Sequence, residues 1–357
     1  MHALNPRKTP RMMAEWSPQA AIMLAWPHNE SDWHPWLNDI WDTYIELTTA
    51  ISQFEPVLIL CKDQHHRESI EKSLPSTKHP VHLVCTPYND TWCRDYGPIA
   101  VATSDHQQLL DFRFNGWGEK YDATLDDQVC LQLKQQHIFP ASLTSIPFQL
   151  EGGSIETNGK GTLITTEACL LSGTRNKSSH RDEIESSLKE YLGIEQVLWL
   201  REGYLCGDDT DSHIDNLVRF SDAKTLLYAA PFAKNDIHYM PLKAMETELI
   251  ALNDQHNLGY NLIPIQIPEP QLDNVTGKRL PGSYINFLIL NDAVIVPVFD
   301  VPQDAIALTQ IQQAFPDRKI VRVTGSHLIK QYGGPHCATM QLPINTVHLP
   351  TDLTINA

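Results

Sequence analysis

Five short stretches of the chain gather polar groups beside turn-forming residues. Trp92-Cys93-Arg94-Asp95 runs into Tyr96-Gly97-Pro98, where a Gly-Pro pair ends regular structure. Glu151 closes the apolar run "SIPFQL" and precedes Gly152-Gly153, two residues that let another group approach the backbone closely. "DDTDSHIDN" (208–216) sets His213 among Asp208, Asp209, Asp211 and Asp215. Trp117 sits in the Gly-rich "FNGWGEKY" (114–121), and Cys337 follows a Gly-Gly-Pro loop in "YGGPHCATMQLP" (332–343).

Each stretch also has a plain structural reading. Cys61 and Cys85 lie inside apolar runs and are expected in the core. Glu151 could be a turn carboxylate and Asp95 a cap. Cys337 differs because it follows a tight polar loop, a setting for an exposed thiolate of lowered pKa. His213 and Asp215 are two apart on a predicted strand, which points both to one face. His336 adjoins Cys337, but neighbours on an extended chain face opposite ways, so His213 is the expected partner of the thiol.

Four carboxylates around one histidine imply a metal site or a cation site. "DDTDSHID" lacks the glycine and the terminal glutamate of a calcium loop, and HExxH or paired-cysteine zinc spacing is missing. No metal and no cofactor are expected. A thiol, a histidine and several carboxylates suit attack on a guanidinium. Carboxylates match its planar fork by paired hydrogen bonds and hold its carbon still for the thiolate. Histidine can protonate the departing ammonia and then activate water.

The formal charge is −16, from 27 basic and 43 acidic residues, and 42% of the 357 residues are hydrophobic. That balance describes a soluble, acidic globular protein, argues against nucleic-acid binding and is compatible with a small cationic substrate. No run approaches the ~18 apolar residues of a membrane span, so no membrane partner is expected. The basic N-terminus, "MHALNPRKTPRMMAEW", lacks the apolar core of a signal peptide. Seven scattered cysteines without CxxC spacing fit free thiols in a reducing cytoplasm.

The elements that must position these groups alternate along the chain. "PWLNDIWDTYIELTTAISQF" (35–54) repeats Ile40, Tyr44, Leu47 and Ile51 at helical spacing, and "PVLILC" (56–61) reads as a buried strand. Residues 182–192, 237–255 and 302–315 read as further helices. The strands "QVLWL" (196–200) and "KIVRV" (319–323) follow the first and third of them. Asn158-Gly159 predicts a hairpin with a type I′ turn within 154–166, and Asn291-Asp292 predicts another within 284–299. No linker or composition shift divides the chain, which reads as one α/β domain over 1–357, built from degenerate supersecondary repeats.

Seven segments, in order, resemble the agmatine deiminase and bacterial peptidylarginine deiminase-like family. They are "MAEWSPQAAIMLAWP", "TWCRDYGPI", "FNGWG", "EGGSIETNGKGTLITTEACLL", "DTDSHIDNLVRF", "INFLILNDAVIVPVFD" and "HCATMQLP", spanning residues 13 to 343. The resemblance implies a pentein, a five-bladed α/β propeller of ββαβ-type units around a central site. It also implies that Cys337 forms a covalent amidino-thioether and that His213 is the general acid and base. Asp95 and Asp215 would bind the guanidinium, Glu151 would support the site, and Trp92 and Trp117 would line the pocket. Asp209 would meet the far amine of agmatine. The expected reaction is agmatine to N-carbamoylputrescine and ammonia, and a homodimer is allowed.

The chain departs from the family pattern in three places. Asp209 is shorter than the expected Glu, Ser212 replaces a Gly, and the loop before Cys337 is short; all three bear on pocket shape. The alternatives are a free-arginine or peptidylarginine deiminase, an amidinotransferase, and a non-catalytic pentein such as the ribosome anti-association factor. The last has no need of the Cys, His and paired Asp set.

Overall fold

The computed structural model describes residues 10–140, 142–177 and 180–355. The basic stretch at residues 1–9 lies outside them. The predicted helix at 35–54 forms over Leu37–Ile51 and buries Ile40, Tyr44, Leu47 and Ile51 on one face. The other predicted helices form at Arg181–Leu192, Tyr239–Gln255 and Gln303–Ala314. The first of these ends at Gly193, whose φ of 62° is left-handed, a conformation that favours glycine at this position.

Among the described residues the strands form five sheets, and one connection pattern recurs in all of them. In the sheet of Ile155–Thr157, Thr162–Thr166 and Gln196–Leu200, an antiparallel pair is followed by a helix and a parallel strand. Val218–Asp222, Thr225–Ala230 and Asn261–Gln266 repeat it. So do Leu288–Ile289, Ala293–Val298 and Lys319–Thr324. In a fourth sheet, Ile99–Ala102, Gln107–Arg113 and Thr144–Gln149 follow the same order, with Arg11–Met12 added at the edge. In the fifth, the late strand Thr339–Pro343 pairs antiparallel with Gln19–Ala25, which is parallel to Val57–Cys61. There the two ends of the chain complete one unit between them.

The parallel strands differ in cover: Asn261–Gln266 and Lys319–Thr324, at the edges of their sheets, are mostly half-buried or exposed. Val57–Cys61 is buried at every position, which explains its unbroken apolar run. Two apolar clusters make up the core. One surrounds Trp26, Tyr44 and Leu60, the other Phe220, Tyr284 and Ile311. No helix among the described residues is long and apolar enough to cross a membrane.

Three expectations are corrected. The hairpin at 154–166 forms, but its loop is longer than a two-residue type I′ turn. Thr157 pairs with Leu163, and Asn158 Oδ1 accepts from the Lys160 and Thr162 amides at 2.8 and 3.1 Å. The Asn158 side chain thus replaces backbone pairing. Residues 208–216 are not a strand: the segment is a loop that enters a 3-10 turn at Ile214–Asn216. Cys85 is half-buried rather than core, because it ends its strand.

One regularity of position matters for function. The turn Cys93–Tyr96 stands just before Ile99–Ala102, Gly152–Ser154 before Ile155–Thr157, and Ile214–Asn216 before Val218–Asp222. Asn286 precedes Leu288–Ile289, and Cys337 precedes Thr339–Pro343. Each unit presents a short turn at the same place, ahead of its first strand.

Candidate active site

These turns touch one another, and the chemistry-bearing side chains meet where they do. Cys337 Sγ–H donates to Asp215 Oδ2 at 3.2 Å, and Asn286 Nδ2 donates to the sulfur at 3.0 Å. Asp95 accepts from the Gly153 amide at 2.8 Å and from Trp117 Nε1 at 2.9 Å. His213 Nε2 lies 3.1 Å from Glu151 Oε2 and its Nδ1 lies 3.7 Å from Asp95 Oδ1. That Nδ1 is buried and makes no hydrogen bond among the described residues. Gly153 sits at the centre. A Cβ there would come within 2.7 Å of His213 Nδ1, 2.8 Å of Asp95 Oδ1 and 3.1 Å of Asp215 Oδ2.

The local sequence explains these placements. His213 has extended backbone and stands just before the 3-10 turn that carries Asp215. The two side chains therefore converge, though not through strand alternation. Residues 335–338 are a turn, with the Ala338 amide bonded to the Gly334 carbonyl at 3.1 Å. His336 is consequently not directed away from Cys337. Its Nδ1 donates to the same Asp215 oxygen as the thiol, at 2.8 Å. Gly333 and Gly334 are needed for close approach: a Cβ would fall 2.5 Å from the Trp92 ring and 2.5 Å from Asn286 Oδ1.

The site's charges shift one another. Cys337 is only 6% exposed. Burial, then the Asp215 and Asp95 carboxylates, raise its pKa well above that of a free thiol. The expected exposed, low-pKa thiolate is therefore not what the ligand-free protein holds, because the sulfur faces carboxylates with no free cation beside it. Burial alone would lower the His213 pKa, but Asp95, Cys169 and Glu151 raise it well above the ordinary imidazole value. Burial pushes Asp95 up to about 6 against the pull of His213, with Asp215 and Glu151 adding to the rise. Burial also acts on Asp215, yet the bond from His336 and the charges of His336 and His213 bring its pKa below normal. Glu151 is likewise lowered against burial, by His213 and Arg175.

Arg175 donates from Nε to Glu151 Oε1 at 2.9 Å and also binds Asp211. It fixes the carboxylate that anchors His213. Cys169 Sγ donates to Glu151 Oε2 at 3.4 Å. Glu151, Cys169 and His213 offer ligand atoms within 4.8 Å of one another, donor types that suit zinc. Their lone pairs are already engaged with each other and with a guanidinium cation, an arrangement hostile to a second cation. Glu15, Asn286 and Arg175 were not singled out in the sequence, and His336 was considered there only to be set aside. Asn286 was absorbed into a predicted strand, and Glu15 carries no local signal beyond the "AEW" segment.

A narrow pocket, with about 400 Å³ of empty space that includes its open mouth, lies above Cys337. Asp95, Trp92, Trp117, Tyr121, Asp209 and Tyr332 line it, with Asp32 and Asp90 further along. Asp209 Oδ2 accepts from Tyr121 at 2.7 Å, and Lys120 is committed to the Asp209 carbonyl and to Asp211. No Lys, Arg or His is among the residues that line this pocket.

A mixed α/β chain that gathers a thiol and an imidazole beneath such a pocket belongs with hydrolases acting on the C–N bonds of amidines. The family model described as Porphyromonas-type peptidyl-arginine deiminase matches residues 11–343, and the chain belongs to that family. The agmatine deiminase of Ectopseudomonas mendocina (strain ymp) is 35% identical over 357 aligned residues, covering 93% of this chain and 95% of the relative. The agmatine deiminase of C. jejuni, solved with substrate bound, superposes with a TM-score of 0.87 at 35% identity, covering 94% of this chain and 96% of that one. The agmatine deiminase of Enterococcus faecalis gives 0.82 at 29% identity, with 96% and 98% covered.

The raised thiol pKa can be checked directly. Iodoacetamide alkylation of Cys337 in the ligand-free protein, followed by peptide mass spectrometry, should be slow at neutral pH and still rising beyond pH ~9. A rate that is fast and already level at pH ~7 would contradict the burial argument.

Proposed function

We propose that the protein hydrolyses agmatine to N-carbamoylputrescine and ammonia through a covalent adduct on Cys337. The observation that carries this reading is the pocket: acidic along its length, with no cation among its lining residues. Agmatine carries a guanidinium at one end and an ammonium at the other, and both find carboxylates there. Free arginine would bring an α-carboxylate toward Asp209, Asp90 and Asp32 with no positive group to receive it.

The geometry supports a role for each residue. Asp95 and Asp215 flank the guanidinium by charge-assisted hydrogen bonds, and Trp92 and Trp117 wall it in. Trp117 also holds Asp95 by its indole N–H. Bringing a cation between two carboxylates and beside the thiol offsets the carboxylates' share of the raised thiol pKa, so substrate docking itself favours loss of the Cys337 proton to solvent. The thiolate attacks the guanidinium carbon. His213, protonated in this setting, gives its Nδ1 proton to the departing nitrogen, and ammonia leaves an amidino-thioether. Neutral His213 then takes a proton from water, whose oxygen attacks the same carbon. Collapse expels the Cys337 thiolate and leaves the carbamoyl product. Glu151 keeps the imidazole oriented throughout, and no metal or cofactor enters any step. Asp209 would meet the distal ammonium, with Tyr121 fixing its rotamer.

The five sheets of one connection pattern, with Thr339–Pro343 completing the unit begun by Gln19–Ala25, support a five-bladed pentein propeller and a single catalytic domain over the whole chain. The seven free cysteines are consistent with the reducing cytoplasm.

Ammonia release should be seen with agmatine and be at least ~100-fold weaker in kcat/KM with arginine. Cys337→Ala should abolish it. Asp209→Asn should raise the KM for agmatine roughly 10-fold with a smaller effect on kcat, since one buried ionic contact is lost. Equal turnover of arginine, or an unchanged KM in Asp209→Asn, would contradict the pocket assignment. The pH profile follows from Asp95: the carboxylate must be ionised to bind the cation, so kcat/KM should fall as the pH drops through about 6. A profile flat from pH ~7 to ~5 would remove Asp95 from the binding step.

A further inference from the structure

We propose that His336 is a positioning residue, which aims the Asp215 carboxylate at Cys337 and the substrate and keeps it ionised, with Glu15 bracing the far side of the ring. The proposal rests on the guanidine-hydrolase reading above and assigns a residue that no step of it uses.

His336 is fully buried, and its ring is clamped at both nitrogens. Nδ1 is 2.8 Å from Asp215 Oδ2 and Nε2 is 2.8 Å from Glu15 Oε1. A carboxylate only accepts, so each contact calls for a proton from the ring. Burial, then the Arg219 and Arg94 guanidiniums, bring the ring's pKa below the ordinary imidazole value, against Glu15 and Asp215, which favour the charged form. With an oxygen at hydrogen-bond distance from both nitrogens, the geometry favours a proton on each.

Glu15 cannot swing away, because it binds Arg219, Arg94 and Gln341 Nε2, the last two at 3.4 and 3.0 Å. Arg219 is tied in turn to Glu156 Oε2 at 2.8 Å. Arg94 Nε donates to the His336 carbonyl at 3.3 Å, so the ring's backbone and both its edges are fixed.

Asp215 is 0% exposed. The groups facing it are the Cys337 thiol, His336, Asn216 Nδ2 at 3.2 Å on Oδ1, and the charges of His213, Arg219 and Asp95. Asp95 shows what burial does to a neighbouring carboxylate that holds only an amide and an indole donor: it sits at about 6. Asp215 lies below its ordinary value against burial, and the bond and charge of His336 are the largest contributions that lower it, ahead of His213 and Arg219. Without the ring, Asp215 would lose its strongest donor, its pKa would rise, and Oδ2 would no longer be held toward the sulfur.

The test compares His336→Leu, His336→Asn and wild type. Their folding is checked by near-ultraviolet circular dichroism, kcat and KM for agmatine are measured across pH, and proton spectra of the ligand-free proteins are searched for low-field imidazole N–H signals. Leu should lower kcat/KM roughly 10- to 100-fold, the range for losing a charge-assisted hydrogen bond. Its acid limb should move up and steepen from a one-proton toward a two-proton dependence. Asn, whose amide can still donate to Asp215, should recover most of the loss. Wild type should show a low-field N–H signal that both variants lack. A folded Leu variant with wild-type KM and acid limb, an Asn variant no better than Leu, or the lack of that signal in wild type would overturn the proposal. If the Leu variant does not fold, the proton signal decides. If wild type releases no ammonia from agmatine, the hydrolase reading fails, and the same signal still decides whether His336 donates to Asp215.

Discussion

Packing several carboxylates out of water with too few cations to match them is the constraint on which this site depends. Asp95, Asp215 and Glu151 are each at most 3% exposed and crowd one thiol and one imidazole. Isolated buried charges are strongly unfavourable unless paired and hydrogen-bonded. Arg175 and His213 stabilise Glu151, and His336 stabilises Asp215. Asp95 receives an amide, an indole and a histidine 3.7 Å away, and that is not enough to keep its pKa normal. The deficit lies beside Cys337, at the floor of a pocket without a cation in its lining. In the proposed reaction a guanidinium fills it, and the same cation offsets the carboxylates beside the thiol. Binding and activation of the nucleophile thus follow from one electrostatic imbalance.

That imbalance can be held only by a rigid frame, and the repeated units supply one. Every sheet offers a turn ahead of its first strand, and each turn delivers a different group: a carboxylate, a glycine pair, a histidine with a second carboxylate, an amide and a thiol. Short turns anchored to buried strands fix side chains more closely than long loops would. Gly153 marks the limit of this packing, since a single added carbon would displace the groups around it. The arrangement also explains why residues from 15 to 337 share one site while their sequence neighbours do not.

Much of this was legible before any coordinates. The helix at Leu37–Ile51 follows from apolar spacing, and the strands Val57–Cys61 and Gln196–Leu200 follow from short apolar runs. The turn at Asn291-Asp292 connects Leu288–Ile289 to Ala293–Val298 as its residues suggest. Cys337, Asp95 and Glu151 stood out as polar groups beside Gly-Gly or Gly-Pro, and His213 and Asp215 as a histidine among clustered carboxylates. What failed were inferences that required backbone direction or solvent exposure. His336 was set aside on the assumption of an extended chain, but residues 335–338 turn. The Cys337 thiol was expected to be exposed and acidic, but it is buried beside carboxylates contributed by distant segments. Glu15, Asn286 and Arg175 act through partners more than 20 residues away, and local pattern carries no trace of such pairings.

The most direct test is to catch the adduct. Wild-type protein quenched in acid during turnover of agmatine and digested should yield the Cys337 peptide heavier by the mass of agmatine less ammonia. In a His213→Asn variant both the formation of the adduct and its release should slow, because the imidazole serves each step. Ammonia release without any such mass on Cys337, in both proteins, would contradict covalent catalysis and with it the account of the buried charges.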